Sequence, residues 1–301
     1  MQDTLCAHLQ SPSALPATFI TQDWNAYTDD NHLAWSMLYA RRMATLRDTG
    51  SAVFLEGAET IGLGPTKVPD LADVNARLSA RTGWAAVPVS GFLPAREFFA
   101  CLAQRRFPTT VTVRPMAQLD YLPEPDIFHD VFGHVPLHAN PVFADFLQRF
   151  GQVASLARTD AQVEAMARLF WFTVEFGLVR EGDDVKVYGS GLISSHADAA
   201  NALSPACDRR PFDLHAILAQ PFEIDRMQDV LFVAEDFAQL FEAVERVSGV
   251  MPLSDKKTTP SCELKVDGPR PSCELKVEGP RPSCELKPSV QSVEMNNRDD
   301  G

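Results

Sequence analysis

Apolar residues recur at three- and four-residue spacing through HLAWSMLYARRMATLR (32–47) and DLADVNARLSAR (70–81), which predicts an amphipathic helix over each stretch. The same period returns in PAREFFACLAQRRF (94–107), where Pro94 suits a first helical turn. The two longest helical patterns are PVFADFLQRFGQVASLAR (141–158) and AQVEAMARLFWFTVEFGLV (161–179), and a last one runs from about Asp236 to Val250. Strand-like runs are few and short: TTVTV (109–113), DVKVYG (184–189) and DVLFVAE (229–235). This balance predicts a mostly helical α+β domain with few short strands. No glycine-rich phosphate loop follows a strand.

The pattern fades near residue 252. From Pro252 to Gly301 there is no Phe, Trp or Tyr, and there are seven prolines. An eleven-residue unit appears as PSCELKVDGPR (260–270), PSCELKVEGPR (271–281) and a truncated PSCELK (282–287). The GPRP break in each unit forbids a continuous helix, and so little apolar surface cannot offset the entropy of ordering. The expected organisation is therefore one domain over 1–251 and a disordered, Pro-rich tail over 252–301. A docking role for the repeated Cys-Glu-Leu-Lys is the alternative reading of that tail.

Charge and cysteine usage narrow the surroundings. A balance of 27 basic to 40 acidic residues, net −13, argues against nucleic-acid or anionic-membrane partners. Cys6, Cys101 and Cys207 are scattered, and Cys262, Cys273 and Cys284 belong to the repeats; neither pattern is the framework of a small secreted domain. The start, MQDTLCAHLQSPSALP, has no basic segment followed by an apolar run, so no signal peptide is expected. The most apolar stretch, LFWFTVEFGLV (169–179), is too short to span a bilayer. A cytoplasmic protein with reduced thiols is the expectation.

The chemistry gathers in FHDVFGHVP (128–136). Two histidines five apart on an α-helix, at ~100° per residue, point well away from each other. Either His129 and His134 are unrelated, or the helix stops at Gly133 and His134 swings back from the loop; glycine tolerates the left-handed conformation that ends helices. Glu175 is the second anomaly, a carboxylate set among Val174, Phe176 and Leu178. Buried there it must be neutral, paired with an arginine such as Arg168 or Arg180, or coordinated to a metal. Two histidines and a carboxylate cover one face of an octahedral ion and leave three positions open, as in non-haem Fe(II) oxygenases. A zinc hydrolase uses the same ligand types with one water, and spacing alone does not separate the two. Phe128, Phe132, Phe170, Trp171, Phe172 and Phe176 crowd these segments; they suit either an aromatic pocket or ordinary core.

YLPEPDIFHDVFGHVPL (121–137) together with WFTVEFGL (171–178) resembles the pterin-dependent aromatic amino acid hydroxylases, and more closely their short bacterial phenylalanine-hydroxylating branch. The resemblance runs from about residue 20 to 250, and YGSGLISSHAD (188–198) fits it. It implies a single catalytic domain of that family over the body. It places the three iron ligands at His129, His134 and Glu175, with the helix ending at Gly133 so that the second ring returns to the same ion. Arg114 matches an arginine that pairs with the substrate carboxylate, and Asp126 the carboxylate bracing it. Pro125 and Trp171 match residues framing the aromatic pocket, and Ser194 a serine supporting substrate and ligand. The pterin site falls on SGFLPAREFF (90–99), with backbone groups of Gly91, Phe92 and Leu93, the ring of Phe98, and Asp130 beside the first ligand. Asp130, Phe170, Leu122 and Pro94-Ala95 depart from the animal enzymes.

The implied activity is hydroxylation of L-phenylalanine to L-tyrosine, with Fe(II), tetrahydrobiopterin or a related tetrahydropterin, and O2 as co-substrate. Ile224 falls near a position that is apolar in the phenylalanine enzymes and acidic in the tyrosine enzyme. A tryptophan or other aromatic substrate stays open, since one or two pocket side chains shift preference by only ~1–3 kcal/mol. The expected partner is a small molecule, and the chain is expected to act as a monomer.

Overall fold

The computed structural model describes residues 19–91, 93–119, 125–224 and 226–250. The tail, Phe92 and Leu122 lie outside the described residues, and so do the expectations made for them. The chain runs through helices α1 (Asp29–Thr49), α2 (Ala52–Thr60) and α3 (Leu71–Thr82), then β1 (Ala85–Val89), α4 (Ala95–Ala103) and β2 (Arg106–Thr110). A first π-helix (Phe128–His134) leads through a 3-10 turn (Val135–Ala139) into α5 (Pro141–Ala154) and α6 (Asp160–Phe170). A second π-helix (Trp171–Glu175) is followed by β3 (Leu178–Glu181), β4 (Asp184–Val187), α7 (Ser190–Ser194) and α8 (His196–Leu203). β5 (Asp208–Pro211), α9 (Leu214–Ala219), β6 (Val230–Ala234) and α10 (Phe237–Val250) complete the described domain.

Local chemistry sets the starts of the long helices. Thr28 and Asn31 form a reciprocal capping box on α1, and Thr159 and Gln162 form another on α6. Asn140 caps α5 through the Phe143 N–H, with Pro141 in its first turn. Gly83, at φ 76°, closes α3 in the left-handed conformation. β1 and β2 pair in parallel around α4, and the second sheet has the order β4-β3-β6-β5. Its β3–β4 hairpin is antiparallel and turns at Gly182, φ 63°, while β6 runs parallel to both β3 and β5.

The mostly helical α+β expectation holds, and the differences are local. The helix read over 94–107 ends at Ala103, because Arg105 takes a positive φ of 58° and the chain turns into β2. The strand read at 109–113 sits at 106–110 instead. Past Thr110 the backbone leaves the sheet and pairs with the ligand segment, the Ile127 N–H donating to Thr112 O (2.9 Å). The pattern read as one helix over 161–179 divides into α6, a π turn and β3. A continuously apolar run does not distinguish a buried helix from a buried strand.

One large core and a small cluster at Val89, Leu93 and Cys101 fill the described domain. Phe128 and Phe132 stack face to face, centroids 4.5 Å apart, and Trp35, Tyr39 and Phe54 meet the Phe132 ring edge-on. His138 is one of two exceptions to polar satisfaction among the described residues. Its ring is fully buried between Trp84 (4.6 Å) and Phe107 (5.0 Å), and neither nitrogen has a partner among the described residues. Burial, with the neighbouring His134 adding to it, pushes the His138 pKa well below its ordinary value, so the folded protein keeps the ring neutral.

The unfolded chain takes up that proton below its ordinary pKa of about 6.5 and the folded chain does not. Stability from this site is therefore full above about pH 6.5 and falls as pH drops below it, by up to ~1.4 kcal/mol per unit. His138→Leu is expected to raise unfolding free energy by about 1–3 kcal/mol at pH 7.5, by removing unpaired buried nitrogens. Its advantage over wild type widens by pH 5.5. Urea denaturation at the two pH values checks both the sign and the widening.

Candidate metal centre

Both segments that carry the expected ligands are wound as π-helices. Gly133 does not stop the helix; the π winding continues through His134, and Gly133 is not among the positive-φ glycines. This corrects the expected return from a loop. A π-helix bonds residue i to i+5, so positions five apart stack one turn above each other. On an α-helix the same positions would diverge by about 140°. The His129 and His134 rings accordingly meet edge to face, centroids 4.9 Å apart, while Phe128 and Phe132 serve the core. Gly133 is required for space instead. A Cβ there would lie 3.0 Å from Ser190 O, where α7 crosses the helix. In the second π-helix the Phe176 N–H donates to Trp171 O, five residues back (2.8 Å).

Three side chains converge between these turns. His129 Nε2 and His134 Nε2 are 3.2 Å apart; Glu175 Oε1 lies 3.3 Å from the latter and Oε2 3.7 Å from the former. Their ligand atoms all fall within 4.8 Å of one another, the one such cluster of three or more among the described residues. The His134 side chain is 3% exposed, while those of His129 and Glu175 are 21% and 16% exposed, so the centre opens on their side. Neither arginine proposed as a structural partner reaches Glu175. Arg168 pairs with Glu164 and Arg180 with Glu235.

Hydrogen bonds fix the tautomer of His129. Ser194 Oγ donates its single proton to Ser190 O (2.8 Å), so toward His129 Nδ1 (2.9 Å) it acts as acceptor. His129 then carries its proton on Nδ1 and turns the Nε2 lone pair inward. Burial lowers the His129 pKa further, against the pull of Glu175. Burial pushes the Glu175 carboxyl up, but His134, His129 and the Ser190 hydroxyl outweigh it and hold the pKa at about 2. A neutral imidazole nitrogen and a carboxylate aimed at one point at this spacing suit a shared cation. The donor set fits a divalent metal of the Fe(II) or Zn(II) kind.

Beside the centre, Asp126 is fully buried and accepts four hydrogen bonds. Arg114 gives its Nε and Nη2 (2.9 and 2.8 Å) and its backbone N–H, and His129 gives its backbone N–H (3.1 Å). Leu119 O takes Arg114 Nη1 (3.2 Å), so three of the five guanidinium donors are engaged. Asp130 Oδ2 accepts both the N–H and the hydroxyl of Thr110 (2.7 Å each), which ties the first π-helix to β2. Burial pushes the Asp130 carboxyl up, against the pull of His129, Thr110 and His134.

The remaining expected residues fall into two places. The half-buried Phe98 ring packs edge-on against Phe107 (5.9 Å) and Phe170 (5.4 Å), and Phe107 packs on His134 (4.6 Å). Gly91 has open space where a side chain would stand, and Leu93 is buried in a small cluster with Val89 and Cys101. Trp171 stacks on Phe222 (4.5 Å), and its buried indole N–H has no partner among the described residues. Pro125 is exposed next to Asp126, and Ile224 is 48% exposed on the loop that carries Phe222. Sequence reasoning missed Ser190, Thr110, Phe107 and Phe222. Ser190 was within reach, since it lies between Gly189 and Gly191 with its hydroxyl four residues from that of Ser194.

Comparison with known proteins adds to this geometry. The family model described as biopterin-dependent aromatic amino acid hydroxylase matches residues 23–253. The chain is 40% identical over 244 residues to phenylalanine-4-hydroxylase of Ralstonia nicotianae, covering 81% of this chain and 78% of that protein. It is also similar to the crystal structure of Chromobacterium violaceum phenylalanine hydroxylase with bound oxidised Fe(III). There the TM-score is 0.74 at 40% identity, over 77% of this chain and 86% of that one. A second structure of the same protein, with iron(III) and 7,8-dihydrobiopterin, gives a TM-score of 0.73 at 38% identity, over 81% and 91%.

Asp126→Ala would leave a largely buried guanidinium and a helix N–H without acceptors. Breaking such a pair costs about 3–5 kcal/mol, and Asp126→Asn, which keeps one acceptor, is expected to cost less. Urea unfolding of the two variants measures the difference; equal, small losses would remove Asp126 as the brace.

Proposed function

The chain belongs to the biopterin-dependent aromatic amino acid hydroxylases, and from that premise we propose how its residues divide the work of converting L-phenylalanine to L-tyrosine with Fe(II), a tetrahydropterin and O2. His129, His134 and Glu175 hold the iron. The observation that carries this reading is the convergence of their acceptor atoms within 3.2–3.7 Å, with Glu175 ionised and His129 presenting Nε2. Bound iron and pterin supply the activation of O2, a task side chains do not perform.

Every other role falls to the chain itself. Arg114 keeps two N–H donors beyond those given to Asp126 and Leu119, and these receive the amino acid carboxylate. Asp126 holds that guanidinium and the His129 end of the π-helix in one frame, which fixes the distance between substrate carboxylate and metal. Trp171 and Pro125 frame the aromatic ring, with Phe222 setting the plane of Trp171. Gly91, Phe92 and Leu93 offer backbone groups to the pterin, and Phe98 offers a ring face. Asp130 fixes the helix beside it through Thr110. Ser194 supports His129. The aromatic walls exclude water from the reacting atoms.

We further propose that the chain acts on a small molecule as a cytoplasmic monomer. Cys101 and Cys207 are free and buried, and no helix among the described residues is long and apolar enough to cross a membrane.

Purified protein given L-phenylalanine, Fe(II), tetrahydrobiopterin and O2 is expected to form L-tyrosine, with product lost on omission of iron or pterin. Arg114→Lys keeps the charge but loses the fork. It is expected to raise KM for L-phenylalanine about tenfold or more while lowering kcat less. An unchanged KM would remove Arg114 from substrate binding.

A further inference from the structure

The second π turn brings aromatic rings together as the first brings its histidines. The bond from the Phe176 N–H to Trp171 O spans five residues and sets the Phe176 ring over Trp171, centroids 4.6 Å apart and planes tilted by 32°. Phe222 stacks on the same indole at 4.5 Å and 18°. Phe176 and Phe222 make no ring contact with each other among the described residues, so they cover opposite faces of Trp171. The half-buried indole therefore meets the pocket with its edge rather than with a face.

The two ends of this stack are held differently. Behind Phe176 the backbone of α7 is already close: a Cβ on Gly191 would lie 3.1 Å from two carbons of the Phe176 ring. Phe222 comes instead from the loop between α9 and β6, half-buried between the exposed Pro221 and Glu223. The buried Gln228 sets the shape of that loop, its Nε2 donating to Glu223 O (2.9 Å) and Arg226 O (2.8 Å). Inward, the Phe222 ring meets the buried Phe172 edge-on at 6.3 Å. Phe222 is thus a wedge one ring thick, inserted from a surface loop between Trp171 and Phe172. Trp171 and Phe176 belong to the turn that carries Glu175, whereas residue 222 belongs to a separate segment. Its size alters the pocket without rebuilding that turn.

We propose that Phe222 is a specificity-determining residue, whose ring fills the space over Trp171 that the second ring of an indole side chain would need, so that the pocket takes a single-ring amino acid. This rests on the reading that Trp171 frames the substrate ring. With Phe222 in place a fused bicyclic side chain finds the indole face already occupied. Without it, the second ring stacks on that freed face and meets Phe172 edge-on.

The test compares wild type with Phe222→Ala, Phe222→Leu and Phe222→Tyr in the full chain, supplied with Fe(II), tetrahydrobiopterin and O2. The quantity read is kcat/KM for L-tryptophan divided by that for L-phenylalanine. Phe222→Ala is expected to raise this ratio about 10–100-fold, chiefly through a lower KM for L-tryptophan. Phe222→Leu, which keeps an apolar filler, is expected to raise it less, and Phe222→Tyr, which keeps the ring, to leave it near the wild-type value. Calorimetric titration of the Co(II)-loaded chain with each amino acid reads the same preference without turnover. If the ratio stays at its wild-type value in both the alanine and leucine variants, Phe222 does not select the substrate and the proposal is overturned. Loss of L-phenylalanine turnover in both, with no gain in L-tryptophan binding, overturns it too, since the ring then only packs. Wild-type protein that hydroxylates neither amino acid would sink the functional reading itself, and the proposal with it.

Discussion

Two imidazole nitrogens and the two oxygens of one carboxylate face one another across 3.2–3.7 Å in the interior of this domain. With Glu175 ionised and His129 presenting its Nε2 lone pair, a cation among these groups is what such a gathering suits best. The rest of the structure is arranged to hold that gathering. Two π turns supply the geometry, because only a winding that repeats at five residues puts His129 above His134. The π turn is less favourable than an α turn and persists because its other face is locked. Phe128 and Phe132 are stacked in the core and fully buried.

The same short helix is the meeting point of the subsites. Asp126 ties its start to Arg114, Asp130 ties its middle to Thr110 on β2, and Gly133 gives α7 the space to reach the ligands. Phe107 links the Phe98 ring to the His134 ring. On the proposed reading, carboxylate recognition, the pterin wall and two of the three metal ligands therefore meet on one turn rather than on separate loops. Such a frame favours a fixed approach of reactant to metal, which is where an enzyme of this class gains most from its protein. His138 is the visible cost of crowding aromatic rings around the site, a buried imidazole with both nitrogens unpaired among the described residues.

Much of this was legible in the sequence, for identifiable reasons. The long helices announced themselves by period and caps, as at Thr159-x-x-Gln162 and Asn140-Pro141. The ligands stood out because two histidines and a buried glutamate break otherwise apolar text. Their local winding did not, since a π turn has no periodicity of its own within seven residues. The sequence offered a glycine stop, and Gly133 turned out to matter for the atoms of Ser190 rather than for its φ. The β3–β4 hairpin was hidden in an apolar run that read as helix. Thr110 and Ser190 were silent because their hydrogen bonds cross 20 and 15 residues of chain. Phe98 was readable only through resemblance, as its ring looks like any helix-core position.

The central claim is that one iron is held by residues from both π turns. Fe(II) binding measured by anaerobic equilibrium dialysis on wild type, His129→Ala, His134→Ala and Glu175→Ala tests it most directly. The account predicts one tight Fe(II) per wild-type chain, and its loss or severe weakening in each variant. Wild-type stoichiometry and affinity surviving the loss of both His134 and Glu175 would contradict it.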